Sequence, residues 1–247
     1  MLDGGFDMKI YEDKCIGCEN CIPYCAMNAI SMVDGIAVID QEECVECGVC
    51  LRVERCPVDA IYENEESNQW PRSVRKVFSD ATAKHENTGV RGRGTEEVKT
   101  NDVTARFKRG FIGVALEFGR PGVGTKLKDV EVITEALAKE GVEFEPKNPL
   151  TFLFTDASTG KIREDVREEK VLSAIVEFVI PEEKIEKIFS LIQEAADKTE
   201  TVFSWGLVAR FDDEGNLPIV DKLEKMGFRV PRNMKINVGL GRPLREE

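Results

Sequence analysis

Hydrophobic and polar positions divide the chain of 247 residues into three segments. Residues 1–66 contain only short apolar runs, which cysteine and glycine interrupt. Residues 67–110 are polar and basic, and their apolar positions show little periodicity. Residues 111–247 alternate between the apolar patterns of strands and of helices. We therefore expect an α+β protein with a small domain at 1–66 and a larger domain at 111–247, joined by a polar, basic linker at 67–110.

The third segment predicts a regular succession of strands and helices. Alternating or β-branched apolar runs predict strands at 111–118, 150–154, 171–180, 201–211 and 234–240. Apolar positions three and four residues apart predict helices at 126–140, 181–192 and 218–226. This β-α-β, β-α-β order with an extra α-β unit predicts an α/β plait of ferredoxin-like or ACT-like type, with helices on one face of a mostly antiparallel sheet.

All eight cysteines lie in the first segment, where they form two runs of similar spacing. The runs are Cys15-x2-Cys18-x2-Cys21-x3-Cys25 and Cys44-x2-Cys47-x2-Cys50-x5-Cys56. Each run precedes an Ala-Ile pair, so the segment is an internal repeat of cysteine loop, short helix and strand. Between the two runs, Asp34-Gly35 predicts a hairpin turn.

The spacing of the cysteines indicates iron–sulfur chemistry. Three thiolates separated by two residues can wrap a loop around three corners of a [4Fe-4S] cubane, while amides of the loop donate hydrogen bonds to sulfur. The fourth thiolate must come from elsewhere, because a tight loop cannot reach all four corners. Zinc is the competing metal, but zinc ribbons use cysteine pairs, whereas each run here has a third cysteine on the same period. Disulfides are disfavoured because the sequence has no export signal.

Over roughly residues 8–64, the two runs resemble those of the bacterial two-cluster ferredoxin family. The resemblance implies two [4Fe-4S] clusters, each held by three cysteines of one run and one cysteine of the other. The implied ligands are Cys15, Cys18, Cys21 and Cys56 for cluster I, and Cys44, Cys47, Cys50 and Cys25 for cluster II. The chain departs from the family pattern at Ala26, where proline is usual, and in the longer spacing before Cys56. The resemblance does not extend to residues 67–247.

Acidic residues are concentrated in the cysteine-rich segment. Of the net charge of −12, residues 1–69 carry −11, from 15 acidic and 4 basic residues. An acidic surface of this strength repels nucleic-acid phosphates and suits docking onto a basic patch of a redox partner protein. The chain has no signal peptide and no run of about 18 apolar residues, so we expect a cytoplasmic protein without a membrane span.

A glycine-rich loop joins the strand at 111–118 to the helix at 126–140. Its sequence is Gly119-Arg120-Pro121-Gly122-Val123-Gly124-Thr125-Lys126. Free amides at a helix N-terminus attract anions, so the loop is a candidate site for a small anionic ligand. The sequence departs from the Walker pattern, and the alternative is a glycine turn in which Thr125 caps the helix.

Two functions fit these features. The first is an electron-transfer protein or subunit of an anaerobic pathway, which passes single low-potential electrons to a partner redox enzyme docked through the C-terminal domain. The alternative, which the glycine loop favours, is a ligand-sensing or catalytic α+β domain that the clusters serve or tune. Residues 111–247 contain no identifiable nucleophile constellation, so we assign no catalytic residue and favour the electron carrier.

Overall fold

The computed structural model describes residues 8–64, 69–89, 91, 107–120 and 122–234. Except for its first residue, the strand predicted at 234–240 lies outside this part of the chain. The described residues form a cysteine-rich N-terminal unit and a larger C-terminal unit, each with its own group of buried apolar residues.

The N-terminal unit is built from two antiparallel strand pairs, one turn of α-helix and a 3₁₀ helix at Ile22–Tyr24. The elements are β1 (Met8–Ile10), β2 (Ile30–Val33), β3 (Ile36–Ile39), α1 (Val49–Arg52) and β4 (Ile61–Glu63). Strand β1 pairs with β4, and β2 pairs with β3 across the predicted Asp34-Gly35 turn, which is confirmed. Both turn residues have positive φ, the conformation that an Asp-Gly hairpin turn requires.

The C-terminal unit contains one main sheet and several short strand pairs. In chain order, the elements after β4 are α2 (Ser73–Ser79), β5 (Phe111–Phe118), β6 (Thr125–Lys126), α3 (Leu127–Lys139), β7 (Phe154–Asp156), β8 (Lys161–Ile162), β9 (Lys170–Val171), β10 (Ala174–Pro181), α4 (Ile185–Ala196), β11 (Phe203–Val208) and α5 (Ile219–Lys225). The main sheet is antiparallel with the order β10-β5-β11. Strand β6 pairs with β9, and β7 pairs with β8.

One face of the main sheet forms the core with helices α3 and α4. Alternate residues of β5 point into this core, because successive side chains of a strand point to opposite faces: Ile112, Val114, Leu116 and Phe118. The two helices pack against each other and bury their apolar stripes in the same core. The strand predicted at 111–118 and the helix predicted at 126–140 are therefore confirmed to within a residue, while the plait topology stays a prediction.

The strand predicted at 150–154 is wrong over most of its length. Residues Pro149–Leu153 form a 3₁₀ helix, and β7 begins only at Phe154. Asn148 caps this helix by accepting a hydrogen bond from the amide of Leu150 at 2.8 Å, and proline is well placed in a first helical turn. Local capping chemistry therefore overrides the apolar run.

The segment predicted as a linker contains a structured helix. In α2, Val74 and Phe78 are buried in the same core as the C-terminal sheet. The helix has only seven residues, and basic side chains lie between these two apolar positions, so the apolar pattern is weak in the sequence. The C-terminal core thus begins before residue 111, and the domain boundaries stay a prediction.

Replacing Phe78 with alanine should lower the free energy of unfolding by about 3–5 kcal/mol, because a fully buried ring is removed from the C-terminal core. Urea unfolding followed by tryptophan fluorescence measures the effect. Phe211→Ala is the control, since Phe211 is 41% exposed and its loss should change stability by less than about 0.5 kcal/mol. Equal effects of the two substitutions would show that α2 is not part of this core.

Candidate metal centre

The eight cysteines line two cavities in the N-terminal unit. Cavity I is lined by Cys15, Cys18, Cys21 and Cys56, and cavity II is lined by Cys25, Cys44, Cys47 and Cys50. Each cavity therefore takes three cysteines from one run and one from the other, and all eight are free thiols. The structure brings together every cysteine singled out from the sequence, and the assignment of individual cysteines to a cluster stays a prediction.

Backbone amides donate hydrogen bonds to sulfur in both cavities. The amide of Ala29 donates to Cys25 Sγ at 3.2 Å, and the amide of Ala60 donates to Cys56 Sγ at 3.2 Å. Both bonds link residues i and i+4, as the internal repeat requires. Donors of this kind stabilise thiolates and cluster sulfurs.

Burial disfavours the charged thiolate form of these cysteines when no metal is bound. Burial, the largest cause, raises the pKa of Cys44 and Cys50 to about 12. The negative charge of Glu46 raises the pKa of Cys44 further. Burial also raises the pKa of Cys21 and Cys47. A cationic metal centre offsets this cost, because thiolates bind iron and release their protons.

The donor set and the cavity walls fit iron–sulfur clusters. Each cavity offers four soft sulfur ligands inside an apolar wall, with amide donors aimed at sulfur. Within the described residues, no three His, Cys, Asp or Glu side chains are placed to hold a single metal ion. The cysteines line the two cavities instead. A bound cluster would supply one-electron redox chemistry there.

A buried carboxylate lies beside cavity II. Glu46 is 3% exposed and accepts hydrogen bonds from Arg72 Nη2 at 2.7 Å and from the amide of Met8. Its backbone has φ of +55°, a left-handed conformation that is uncommon outside glycine. The equivalent position in the first run is Gly17, where a Cβ atom would clash with the carbonyl oxygen of Gly35. The two halves of the repeat therefore differ at the position between their first two cysteines.

A buried arginine joins the loop of cavity II to the C-terminal unit. Arg75 of α2 is 4% exposed, and its Nη1 donates to the carbonyl oxygens of Cys44 at 2.7 Å and Gln41 at 2.9 Å. Its Nε forms an ion pair with Glu169. Arg72 and Arg75 were not predicted as site residues, because a basic residue in a polar segment carries no signal that it will be partly or fully buried.

The glycine-rich loop is a packing element in the structure. The amides of Val123 and Gly124 both donate to the carbonyl oxygen of Gly119 at 3.2 Å, and the first amides of α3 donate to the carbonyl oxygens of Glu169 and Arg167. A Cβ atom at Gly124 would approach the methyl group of Met27, beside cavity II, to 2.8 Å. Thr125 belongs to β6 and gives α3 no side-chain cap. The described part of the loop gives no support to an anion site.

Comparison with known proteins agrees with this chemistry. Residues 14–66 match the family described as 4Fe-4S dicluster domain. Ferredoxin-1 of Caulobacter vibrioides is 33% identical over 85 residues, which cover 31% of this chain and 74% of that protein. A subunit of the ion-translocating oxidoreductase complex of Methanosarcina acetivorans is 43% identical over 60 residues, 24% of this chain and 22% of that protein. The pyruvate synthase subunit PorD of Methanothermobacter marburgensis is 46% identical over 50 residues, 20% of this chain and 56% of that protein.

The chain belongs to the family of 4Fe-4S dicluster ferredoxins. Its cofactors are two [4Fe-4S] clusters, and its chemistry is electron transfer. The match to this chain spans only 22% of the length of the oxidoreductase subunit and 56% of the length of PorD. Among the helices that the structure describes, none has both the length and the apolar character needed to cross a bilayer.

Replacing Cys56 with serine should remove the cluster of cavity I, although Cys56 belongs to the second run of cysteines. Thiol alkylation followed by mass spectrometry should then label Cys15, Cys18 and Cys21, which are left without their cluster. Cys25→Ser is the matched control, and it should instead free Cys44, Cys47 and Cys50. Labelling of the second run in the Cys56→Ser variant would contradict crossed ligation.

Replacing Arg75 with glutamine should lower the reduction potential of the cluster in cavity II. Loss of the buried positive charge destabilises the reduced, more negative cluster, and we expect its reduced-to-oxidised ratio at a fixed potential to fall roughly tenfold. Potentiometric titration followed by electron paramagnetic resonance measures this ratio. The cluster of cavity I is the control within the same molecule, and Arg75→Lys, which keeps the charge, should recover most of the potential. Equal shifts of both clusters would contradict a local effect.

Proposed function

We propose that the chain is an electron-transfer protein or subunit that passes single low-potential electrons to a partner redox enzyme. Its C-terminal unit docks that enzyme, and its acidic N-terminal unit faces a basic patch of the same partner. The family assignment supports this role, and so do relatives named as an oxidoreductase complex subunit and a pyruvate synthase subunit.

The observation that carries the proposal is the pair of adjacent cysteine cavities in one small unit. Cys50, which lines cavity II, packs in the same apolar cluster as Cys21, which lines cavity I. The helical turn α1, which contains Cys50, contacts the 3₁₀ helix that follows Cys21. Two clusters this close together provide a short route for single electrons through the unit.

We infer that the C-terminal unit is an α/β plait with a docking role rather than a sensing role. The strand order β10-β5-β11 and the two helices on one face support the plait. Phe144 also supports it, because it forms an antiparallel bridge with Phe178 on the edge of β10 opposite β5. The sensing alternative depended on anion binding by the glycine-rich loop. The internally bonded amides of that loop favour docking.

The full chain, purified without oxygen, should contain about eight iron and about eight acid-labile sulfide per molecule. After reduction, it should transfer electrons to a basic c-type cytochrome, and the rate should fall as salt rises from 0.01 M to 0.1 M. The screening length shrinks over this range from about 30 Å to about 10 Å, which weakens the attraction between an acidic protein and a basic one. Stoichiometric zinc without sulfide would contradict the proposal. A rate that does not change with salt would rule out docking on a basic patch.

A further inference from the structure

The internal repeat makes it possible to compare equivalent surfaces over the two cavities. Ile16 follows the first cysteine of the first run, and Val45 follows the first cysteine of the second run. Val45 is 2% exposed, whereas Ile16 is 63% exposed. The same difference holds two residues further along, where Cys18 is exposed and Cys47 is half-buried. One of two equivalent surfaces is therefore covered and the other is open.

The C-terminal unit covers the surface over cavity II. Val45 packs in an apolar cluster with Met27 and Leu172, and the amide of Leu172 donates to Ser79 Oγ at 2.8 Å. An ion pair between Lys170 and Glu43 borders the same contact. A segment from the C-terminal unit thus occupies the position over cavity II that is open over cavity I.

The open surface over cavity I combines an apolar centre with an acidic rim. Ile16 and Glu19 are exposed and line cavity I, and Cys18 lies between them in sequence. The exposed turn at Asp34-Gly35 lies beside them, because the carbonyl oxygen of Gly35 is close to the α-carbon of Gly17. An exposed aliphatic side chain with two carboxylates nearby is the complement of a basic surface with an apolar centre.

We infer that this Ile16 surface, formed by Ile16, Cys18, Glu19 and Asp34, is where a basic redox protein docks and exchanges electrons with the cluster of cavity I. The inference rests on the proposed function and specifies the contact between the acidic unit and its partner. Among the described residues, Leu172 covers the Val45 surface, whereas the equivalent Ile16 surface stays exposed to a second protein.

Stopped-flow oxidation of the reduced, cluster-loaded full chain by a basic c-type cytochrome tests this docking surface. Ile16→Ser should lower the second-order rate constant roughly tenfold, since an apolar side chain is lost from the centre of the contact. Glu19→Gln should lower it about twofold and weaken its dependence on salt, as expected for a charge at the rim of an interface.

Matched controls separate docking from damage to the clusters. Val38→Ser changes an exposed aliphatic residue of β3, 40% exposed, whose neighbour Ala37 lines cavity I, so the side chain of Val38 points to the opposite face of the strand. Glu224→Gln removes an exposed carboxylate of α5. Both variants should keep the native rate. The two control variants should also keep the native iron and sulfide content and react at the native rate with benzoquinone, a small neutral oxidant that needs no docking surface. For Ile16→Ser and Glu19→Gln, the measure is the rate with the cytochrome divided by the rate with benzoquinone, per bound cluster, and this ratio should fall when docking is weakened.

Zero-length carbodiimide cross-linking to the cytochrome gives a second measure of the same surface. The expected cross-links join cytochrome lysines to Glu19 or Asp34, whereas cross-links confined to carboxylates of the C-terminal unit would overturn the inference. A native rate in both Ile16→Ser and Glu19→Gln would also overturn it while leaving the proposed function in place. If the native chain holds both clusters but reduces neither the cytochrome nor benzoquinone, the proposed function itself fails.

Discussion

The structure of the N-terminal unit depends on the sharing of cysteines between the two halves of its repeat. Cavity I is completed by Cys56 of the second run, and cavity II by Cys25 of the first run. Neither half can surround a cavity with four sulfurs alone, so both halves must fold together. Because the surrounding apolar core is small and burial disfavours free thiolates, we expect bonds from sulfur to iron to stabilise the fold of this unit.

Helix α2 connects this cysteine-rich unit to the C-terminal core. One side of the helix places Val74 and Phe78 in that core, and another side directs Arg72 and Arg75 to the loop that lines cavity II. A buried arginine such as Arg75, or a partly buried one such as Arg72, is costly unless its donors are paired. Here carboxylates and backbone carbonyl oxygens accept their hydrogen bonds. The loop between Gln41 and Glu46 is therefore held by the same helix that stabilises the larger unit.

Packing against this loop explains features that looked functional in the sequence. Glycine at position 124 leaves room for Met27, and glycine at 119 leaves room for the carbonyl oxygen of Leu172, which a Cβ atom would approach to 2.5 Å. A glycine-rich turn before a helix has the same appearance whether its free space receives an anion or a neighbouring chain segment. Only the contacts of the folded chain distinguish the two.

The sequence by itself determined the chemistry of the cysteines, the Asp34-Gly35 hairpin, β5 and α3, because spacing, turn residues and periodicity act over a few neighbouring positions. It did not reveal the 3₁₀ helix at Pro149–Leu153 or the burial of Val74. Only the tertiary structure decided that Arg75 would be buried, since its partner Glu169 lies 94 residues away. The same holds for Val45 and Ile16, whose equivalent positions became covered and open because the C-terminal unit packs over only one half of the repeat.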